Sequence, residues 1–292
     1  MKLGYPCINS EIGCSPNRTF RLASYSDERL IQTTRQNLEC LMHILEYNLS
    51  NGLYFFRIGS SLVPFASHQV CTVDWRSECA KEFKMVGDLV KSHAMRISMH
   101  PDQFVVLNSP RQDVVARSVA ELLYHCQALD AMGLDRSAKV MIHGGGVYGD
   151  KDDAKKRFVS AYRMLPRIIR KRLVVEHDDK IYSLRDCLDI WRQTGIPIVF
   201  DTFHHECLND GESLRDACNL AMGTWKKTDG PLILHYSSQE KGSRKGSHAQ
   251  TLDPGHFRHV VKQLQGLNYD MMLEIKDKQI SAVKARTLLS GI

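Results

Sequence analysis

No stretch of this 292-residue chain approaches the roughly 20 apolar residues that a membrane helix requires, and its start lacks the charged-then-apolar layout of an export signal. A soluble cytoplasmic protein with no membrane partner is the expectation. The nine cysteines are odd in number and scattered, with no C-x-x-C pair. That argues against both a disulfide framework and a zinc ribbon, and leaves most of them as small buried residues of a reducing compartment. Also missing is a glycine-rich phosphate turn after the first apolar run, where the chain reads Gly4-Tyr5-Pro6-Cys7. A doubly wound open sheet would call for such a turn. Low-complexity linkers and breaks in composition are absent too. Charge is only mildly one-sided, at a formal +6, which tilts modestly toward a polyanionic partner.

What the chain has is a rhythm. Hydrophobic residues make up 43% of it, enough for a large core. Short apolar runs fall at Lys2 to Tyr5, Leu53 to Ile58, Met95 to His100, Ala138 to His143, Arg172 to His177, Ile196 to Asp201, Leu232 to His235 and Met271 to Glu274. Between them lie segments of helical period with plausible caps: Asp27 to about Leu49 after Ser26, Gln112 to Met132 before Gly133, Ser183 to Thr194 before Gly195, and one opened by Asp253-Pro254. Eight repeats of strand then helix predict a single (β/α)8 TIM barrel over residues 1–292. In that fold the active site lies at the carboxyl ends of the strands. The long pieces after the first, second and seventh strands become loops over this mouth, and they carry Asn9, Arg18, His68 and the basic run Lys241 to Lys245.

Seven of the eight runs stop at or beside a residue able to hold a metal or touch a ligand. His100, His143 and His235 end apolar runs, Asp201 ends another with His204 three residues on, and Glu176 and Glu274 are embedded in Leu-Val-Val-Glu and Met-Met-Leu-Glu. A carboxylate inside an apolar strand costs several kcal/mol unless it is paired or metal-bound. Imidazoles and carboxylates around one mouth form the donor set of Zn²⁺ or Mn²⁺. With His248 added the set is too large for one tetrahedral ion, so a multinuclear site is expected. His43, His93, His125, His256 and His259 fall on helices or their starts, solvent-facing or packed there. His177 and His205 have the wrong parity or offset. The charge runs 155–157 and 170–172 read as solvated surface.

Read with their neighbours, these residues resemble the UV damage endonucleases. The matching stretches are Leu3 to Asn9, Phe56 to Gly59 with Pro64 to His68, Arg96 to Phe104 (which contains Ser98-Met99-His100-Pro101), Asp201 to His205, and Gly246 to Ala249. The resemblance implies a barrel related in architecture to endonuclease IV, three divalent metals, Mn²⁺ ahead of Zn²⁺, and cutting of damaged double-stranded DNA immediately 5′ to UV photoproducts, leaving 3′-hydroxyl and 5′-phosphate ends. It assigns His100, His143 and Glu176 to one metal, Glu176, Asp201, His235 and Glu274 to a second, and His204 and His248 to a third. Glu176 would bridge two ions and Gln103-Phe104 would be the wedge at the lesion. Tyr5, Asn9 and His68 would lie near the displaced nucleotides and the scissile phosphate, with His68 as a further catalytic candidate. Two departures stand out: Phe104 replaces a tyrosine, and Ile233 stands where a lysine is common, so that strand parity makes it barrel filling.

Arg18, Lys241, Arg244 and Lys245 are the candidates for phosphate contacts from the mouth loops. A monomer with no organic cofactor, nucleoid-associated through DNA, is expected. Two other enzyme readings share the donor chemistry. An abasic-site endonuclease is the nearest, and a metal-dependent sugar isomerase or epimerase is the more distant, disfavoured by the basic mouth and the projecting Gln-aromatic pair. A DNA-binding protein with structural metals fits poorly, because structural zinc favours thiolates.

Overall fold

A computed structural model describes residues 1–290. Eight parallel strands close into a barrel in chain order. They are β1 (Leu3–Pro6), β2 (Phe55–Ile58), β3 (Arg96–Met99), β4 (Lys139–His143), β5 (Leu173–Glu176), β6 (Ile198–Asp201), β7 (Leu232–Tyr236) and β8 (Tyr269–Leu273). Each is followed by a helix on the outside, so the expected (β/α)8 architecture is present. The caps read from sequence form as written. The Ser26 side chain accepts from the Arg29 amide, Ser183 and Asp186 make a reciprocal capping box, and Asp253 caps the helix that Pro254 opens. At Gly4 the barrel wall leaves no room for a side chain, since a Cβ there would sit 1.6 Å from the Phe55 carbonyl oxygen.

Strand parity sorts the interior into floors. Phe55, Met141, Val174, Val199, Ile233 and Met272 pack together as an apolar layer inside the barrel. Residues of the opposite parity, such as Phe56, Val140, Val175, Phe200 and Leu234, pack outward in the larger core shared with the helices. Two residues above the inner layer, toward the strands' carboxyl ends, come Arg57, His143, Glu176, Asp201, His235 and Glu274. Ile233 does fill the barrel, as expected. On the opposite side of the layer, Lys139 Nζ lies 2.6 Å from Asp229 and Arg96 Nη1 lies 2.9 Å from Asp270.

Three expectations need correcting. Cys14 and Cys40 form a disulfide that ties the loop after β1 to the helix Asp27–Ser50, while the other seven cysteines are free. A spacing of 26 residues carried no signal for it. Arg172, in a run read as solvated, is buried and donates to the carbonyls of Leu134 at 2.6 Å and Ala138 at 2.9 Å. Arg157 of the other run donates Nε–H to the Asn108 carbonyl at 2.9 Å, and Lys155 faces Asp152, Asp186 and Asp189. In each case a long cationic side chain lies down on nearby acceptors instead of extending into solvent.

Candidate functional site

The carboxyl ends of β3 to β8 bring the ring of candidate ligands together. Three overlapping groups have donor atoms within 4.8 Å of one another: His100, His143 and Glu176; Glu176, Asp201 and His204; and Glu176, His235 and Glu274. Glu176 is common to all three and fully buried. One carboxylate oxygen lies 2.8 Å from His235 Nδ1 and the other 3.7 Å from His143 Nε2. Glu274, one residue beyond β8, lies 3.0 Å from the same His235 nitrogen. His248 reaches the ring from the loop after β7, its imidazole centroid 6.1 Å from that of His204.

Main-chain carbonyls orient the imidazoles. The Nδ1–H groups of His100, His204 and His248 donate to the carbonyls of Pro101 at 2.6 Å, His177 at 2.9 Å and Glu274 at 2.8 Å. An imidazole that donates from Nδ1 keeps its Nε2 lone pair for another partner, the arrangement in which metal-binding histidines are held. Asp201 uses one oxygen to cap the short helix Thr202–Cys207, accepting from the Phe203 and His204 amides at 2.7 and 2.8 Å. Its other oxygen, His143 Nδ1 and His235 Nε2 are buried without a hydrogen-bond partner among the described residues. Unsatisfied polar atoms this deep would each be costly, and a cation between them removes the cost for those facing it.

The electrostatics favour positive charge arriving at the ring. Burial opposes ionisation of Glu176, yet His235 and His143 hold its carboxyl below the usual range. Burial likewise opposes charge on His235 and His204, but the surrounding carboxylates push them up to about 10 and about 9. His100 behaves oppositely: burial, then Arg57 and His143, pull it down to about 3, so it is a neutral donor. Arg57 is the residue that sequence reasoning missed. Burial works against its charge, but Glu274 at 2.5 Å holds the guanidinium ionised. A cation in strand β2 with the same parity as Phe55 was the available signal.

The structure separates the remaining candidates. Gln103 and Phe104 stand on the loop after β3; Phe104 is 56% exposed, and the loop is pinned where Ser60 Oγ donates to Asp102 at 2.8 Å. Lys241, Arg244 and Lys245 are exposed at the tip of a small hairpin whose stem bridges Gln239 to His248. Arg18 is exposed on the β1 loop, and its amide donates to Asn37 Oδ1 at 2.9 Å. Tyr5 and Asn9, expected near the displaced nucleotides, lie at the base of the β1 loop. Both are buried, the Asn9 amide donates to the Tyr5 hydroxyl at 2.8 Å, and that hydroxyl donates to Asn48 at 2.7 Å. They anchor the β1 loop and present no free polar surface. His68 is exposed beside Phe65 and does not line the main cavity. His177, excluded from the ligand set by parity, accepts the Asp201 amide at 3.1 Å and so braces a candidate ligand from behind.

That cavity, of about 630 Å³, runs over Glu176, His143, His204 and His248 to Gln103 on one side and Tyr148 on the other. Its barrel is shared at low identity by several solved enzymes, including endonuclease IV from Thermus thermophilus (17% identity, TM-score 0.58, covering 87% of this chain and 96% of that one). A D-psicose 3-epimerase from Clostridium cellulolyticum resembles it to a similar degree (13%, TM-score 0.53, 86% of each chain), so these two likenesses concern the fold alone. The structure of SacUVDE is far more similar, with a TM-score of 0.95 and 44% identity over 100% of this chain and 98% of that one. The UV DNA damage endonuclease of Clostridium perfringens is 38% identical over 294 residues, covering all of this chain and 71% of that protein. That of Bacillus pumilus is 35% identical over 95% of this chain and 90% of its own length. The family profile described as UV-endonuclease UvdE matches residues 1–290, and the chain belongs to that family.

Proposed function

We propose that this endonuclease cuts duplex DNA on the 5′ side of UV photoproducts with three divalent ions held at the barrel mouth, leaving a 3′-hydroxyl and a 5′-phosphate. The observation that carries the reading is the ligand ring itself: three donor groups sharing Glu176, with three imidazoles oriented by carbonyls. His100, His143 and Glu176 would hold one ion, and Glu176, Asp201, His235 and Glu274 a second. His204 and His248 would hold the third, with Asp201 and Glu176 close to His204. A donor set of imidazoles and carboxylates without thiolate suits catalytic Mn²⁺ or Zn²⁺, and the family resemblance puts Mn²⁺ first. When bound, such ions activate water for in-line attack on phosphorus and neutralise the leaving oxygen.

The protein's own residues do the rest. Arg57 balances one of the three carboxylates in the ring, holding Glu274 in place. Lys241, Arg244 and Lys245 approach the backbone phosphates on the hairpin that also delivers His248, so DNA contact and ligand placement share one element. Arg18 adds a phosphate contact from the β1 loop, and His68 is a further catalytic candidate near the scissile phosphate. Gln103-Phe104 enters the duplex where stacking is already impaired, which is cheapest at a damaged step. The test is incision of an end-labelled duplex carrying one defined photoproduct, beside abasic and undamaged duplexes, with Mn²⁺ added. A cut immediately 5′ to the photoproduct is expected. Incision confined to the abasic duplex, or of none of the three, overturns the reading.

A further inference from the structure

The loop after β4, Gly144-Gly145-Gly146-Val147-Tyr148-Gly149, carries an aromatic ring that the proposed chemistry does not use. Tyr148 is 50% exposed and lines the main cavity. Its backbone is in the left-handed region, at φ 53°, a conformation rare for a residue with a large side chain. Such outliers persist where the surroundings over-determine them, and they cluster at ligand sites.

The surroundings do hold this loop tightly. The Gly146 carbonyl accepts from Asn108 Nδ2 at 2.7 Å and from the Tyr182 hydroxyl at 3.1 Å. A Cβ at Gly146 would come within 2.9 Å of the Tyr148 ring, so the glycine gives the ring room to lie back over its own loop. The Arg157 guanidinium carbon lies 5.6 Å from the ring centroid, and the same side chain is tethered to the Asn108 carbonyl. A loop braced from beneath that leaves its one aromatic half in solvent has an orientation fixed before any ligand arrives.

Gln103, beside the exposed ring of Phe104, lines the same cavity as Tyr148. At about 630 Å³ the cavity is within the range of about 300–1,000 Å³ that encloses a small ligand. We infer that Tyr148 is a second aromatic contact for the nucleic acid: its ring stacks on a nucleobase displaced from the helix, and Arg157 holds the ring in place. Phe104 opens the stack and Tyr148 receives what leaves it. The inference rests on the proposed action on DNA.

The test uses the full-length protein, with equilibrium binding of a photoproduct duplex and its undamaged counterpart in Ca²⁺, and incision of the photoproduct duplex in Mn²⁺. Because base–aromatic stacking tolerates any flat ring, Tyr148→Phe should bind and cut within about twofold of wild type, whereas Tyr148→Ala should lose about ten- to a hundredfold in affinity for the photoproduct duplex. Affinity for the undamaged duplex should change less than threefold, since no base is displaced there. A 2-aminopurine placed next to the lesion should brighten on binding to Tyr148→Ala relative to wild type, because the base is displaced but no longer stacked. A structural role alone would shift the melting temperature and leave the damaged-to-undamaged ratio and the fluorescence unchanged, which would overturn the inference. Equal losses in the Phe and Ala variants would overturn it too, by assigning the contact to the hydroxyl. A wild-type protein that does not distinguish the photoproduct duplex sinks the functional reading, and this inference with it.

Discussion

Replacing Glu176 by Gln keeps the volume of a fully buried side chain and removes one negative charge. In protein stripped of metal, the effect follows from His235. Against the cost of burial, Glu176 and Glu274 push that imidazole up from 6.5 to about 10, a net preference for the charged form of roughly 5 kcal/mol at about 1.4 kcal/mol per pH unit. Two carboxylates share it at 2.8 and 3.0 Å. Removing Glu176 should therefore destabilise the chelated protein, by up to about 3–5 kcal/mol as when one partner of a buried pair is lost. The sign with pH is fixed: a raised folded pKa stabilises fully below about 6.5 and loses its effect as pH rises through about 10. Urea unfolding of chelated wild type and variant should differ most near pH 6 and converge toward pH 10.

Adding metal should widen the difference. Mn²⁺ at a hundred times its dissociation constant would stabilise the wild type by about 2.7 kcal/mol for a single site. The variant, lacking the ligand common to all three groups, should gain little, bind fewer ions by elemental analysis, and cut more than about a hundredfold more slowly. A Glu176→Gln protein that loads the same number of ions and cuts at the wild-type rate would refute the shared-ligand argument. One that is unchanged in stability near pH 6 would refute the electrostatic part.

Changing Lys241, Arg244 and Lys245 together to Ala should reduce the log–log salt slope of DNA binding by up to about 3, since each phosphate contact contributes about 0.9; an unchanged slope returns the hairpin tip to solvated surface. Phe104→Ala should weaken lesion binding by about 1–3 kcal/mol and lower the damaged-to-undamaged ratio, while Phe104→Tyr stays near neutral; equal losses on both duplexes would make Phe104 a general contact. His125 is fully buried, and its burial pulls it down to about 4, so the unfolded chain binds more protons between about 6.5 and 4 and stability should fall as pH drops through that window, by up to about 3 kcal/mol. Glu121, raised by its own burial, acts in the opposite sense, so wild type is compared with His125→Gln, which should flatten the acid limb; an identical limb would show that the imidazole is not buried neutral.

The barrel and most of the ring were legible for one reason. Alternation along a strand puts i and i+2 on the same face, so a polar residue two places beyond Met141, Val174, Val199, Ile233 or Met272 had to point inward at the mouth. His143, Glu176, Asp201, His235 and Glu274 all obey this spacing. Arg57 obeys it too, two beyond Phe55, but a cation gives no signal among candidate metal ligands. What could not be read depends on tertiary approach. Nothing in the sequence announces that Asn9 and Asn48 will close over the Tyr5 hydroxyl. Arg172 sits in a basic run, and nothing in that run announces that Asp130 and three carbonyls will converge on it. Cys14 and Cys40 meet only because the β1 loop folds back onto the helix behind it.

The two polar floors of the barrel explain why one is a site and the other a foundation. Both are buried, both contain carboxylates, and the apolar layer from Phe55 to Met272 separates them. On the lower floor every acid meets its cation: Asp229 lies 2.6 Å from Lys139 and 2.7 Å from Arg136, and Asp270 lies 2.9 Å from Arg96. Removing a partner there would leave an uncompensated charge and destabilise the fold, with no chemistry at stake. On the upper floor only Arg57 is a permanent cation, set against Glu176, Asp201 and Glu274, and the imidazoles must be drawn far from their ordinary pKa to complete the balance. Asp201, His143 and His235 still keep polar atoms without partners among the described residues. Similar residue types thus serve opposite ends, and the difference lies in whether their charges and hydrogen bonds close among themselves or leave donor atoms able to hold a cation.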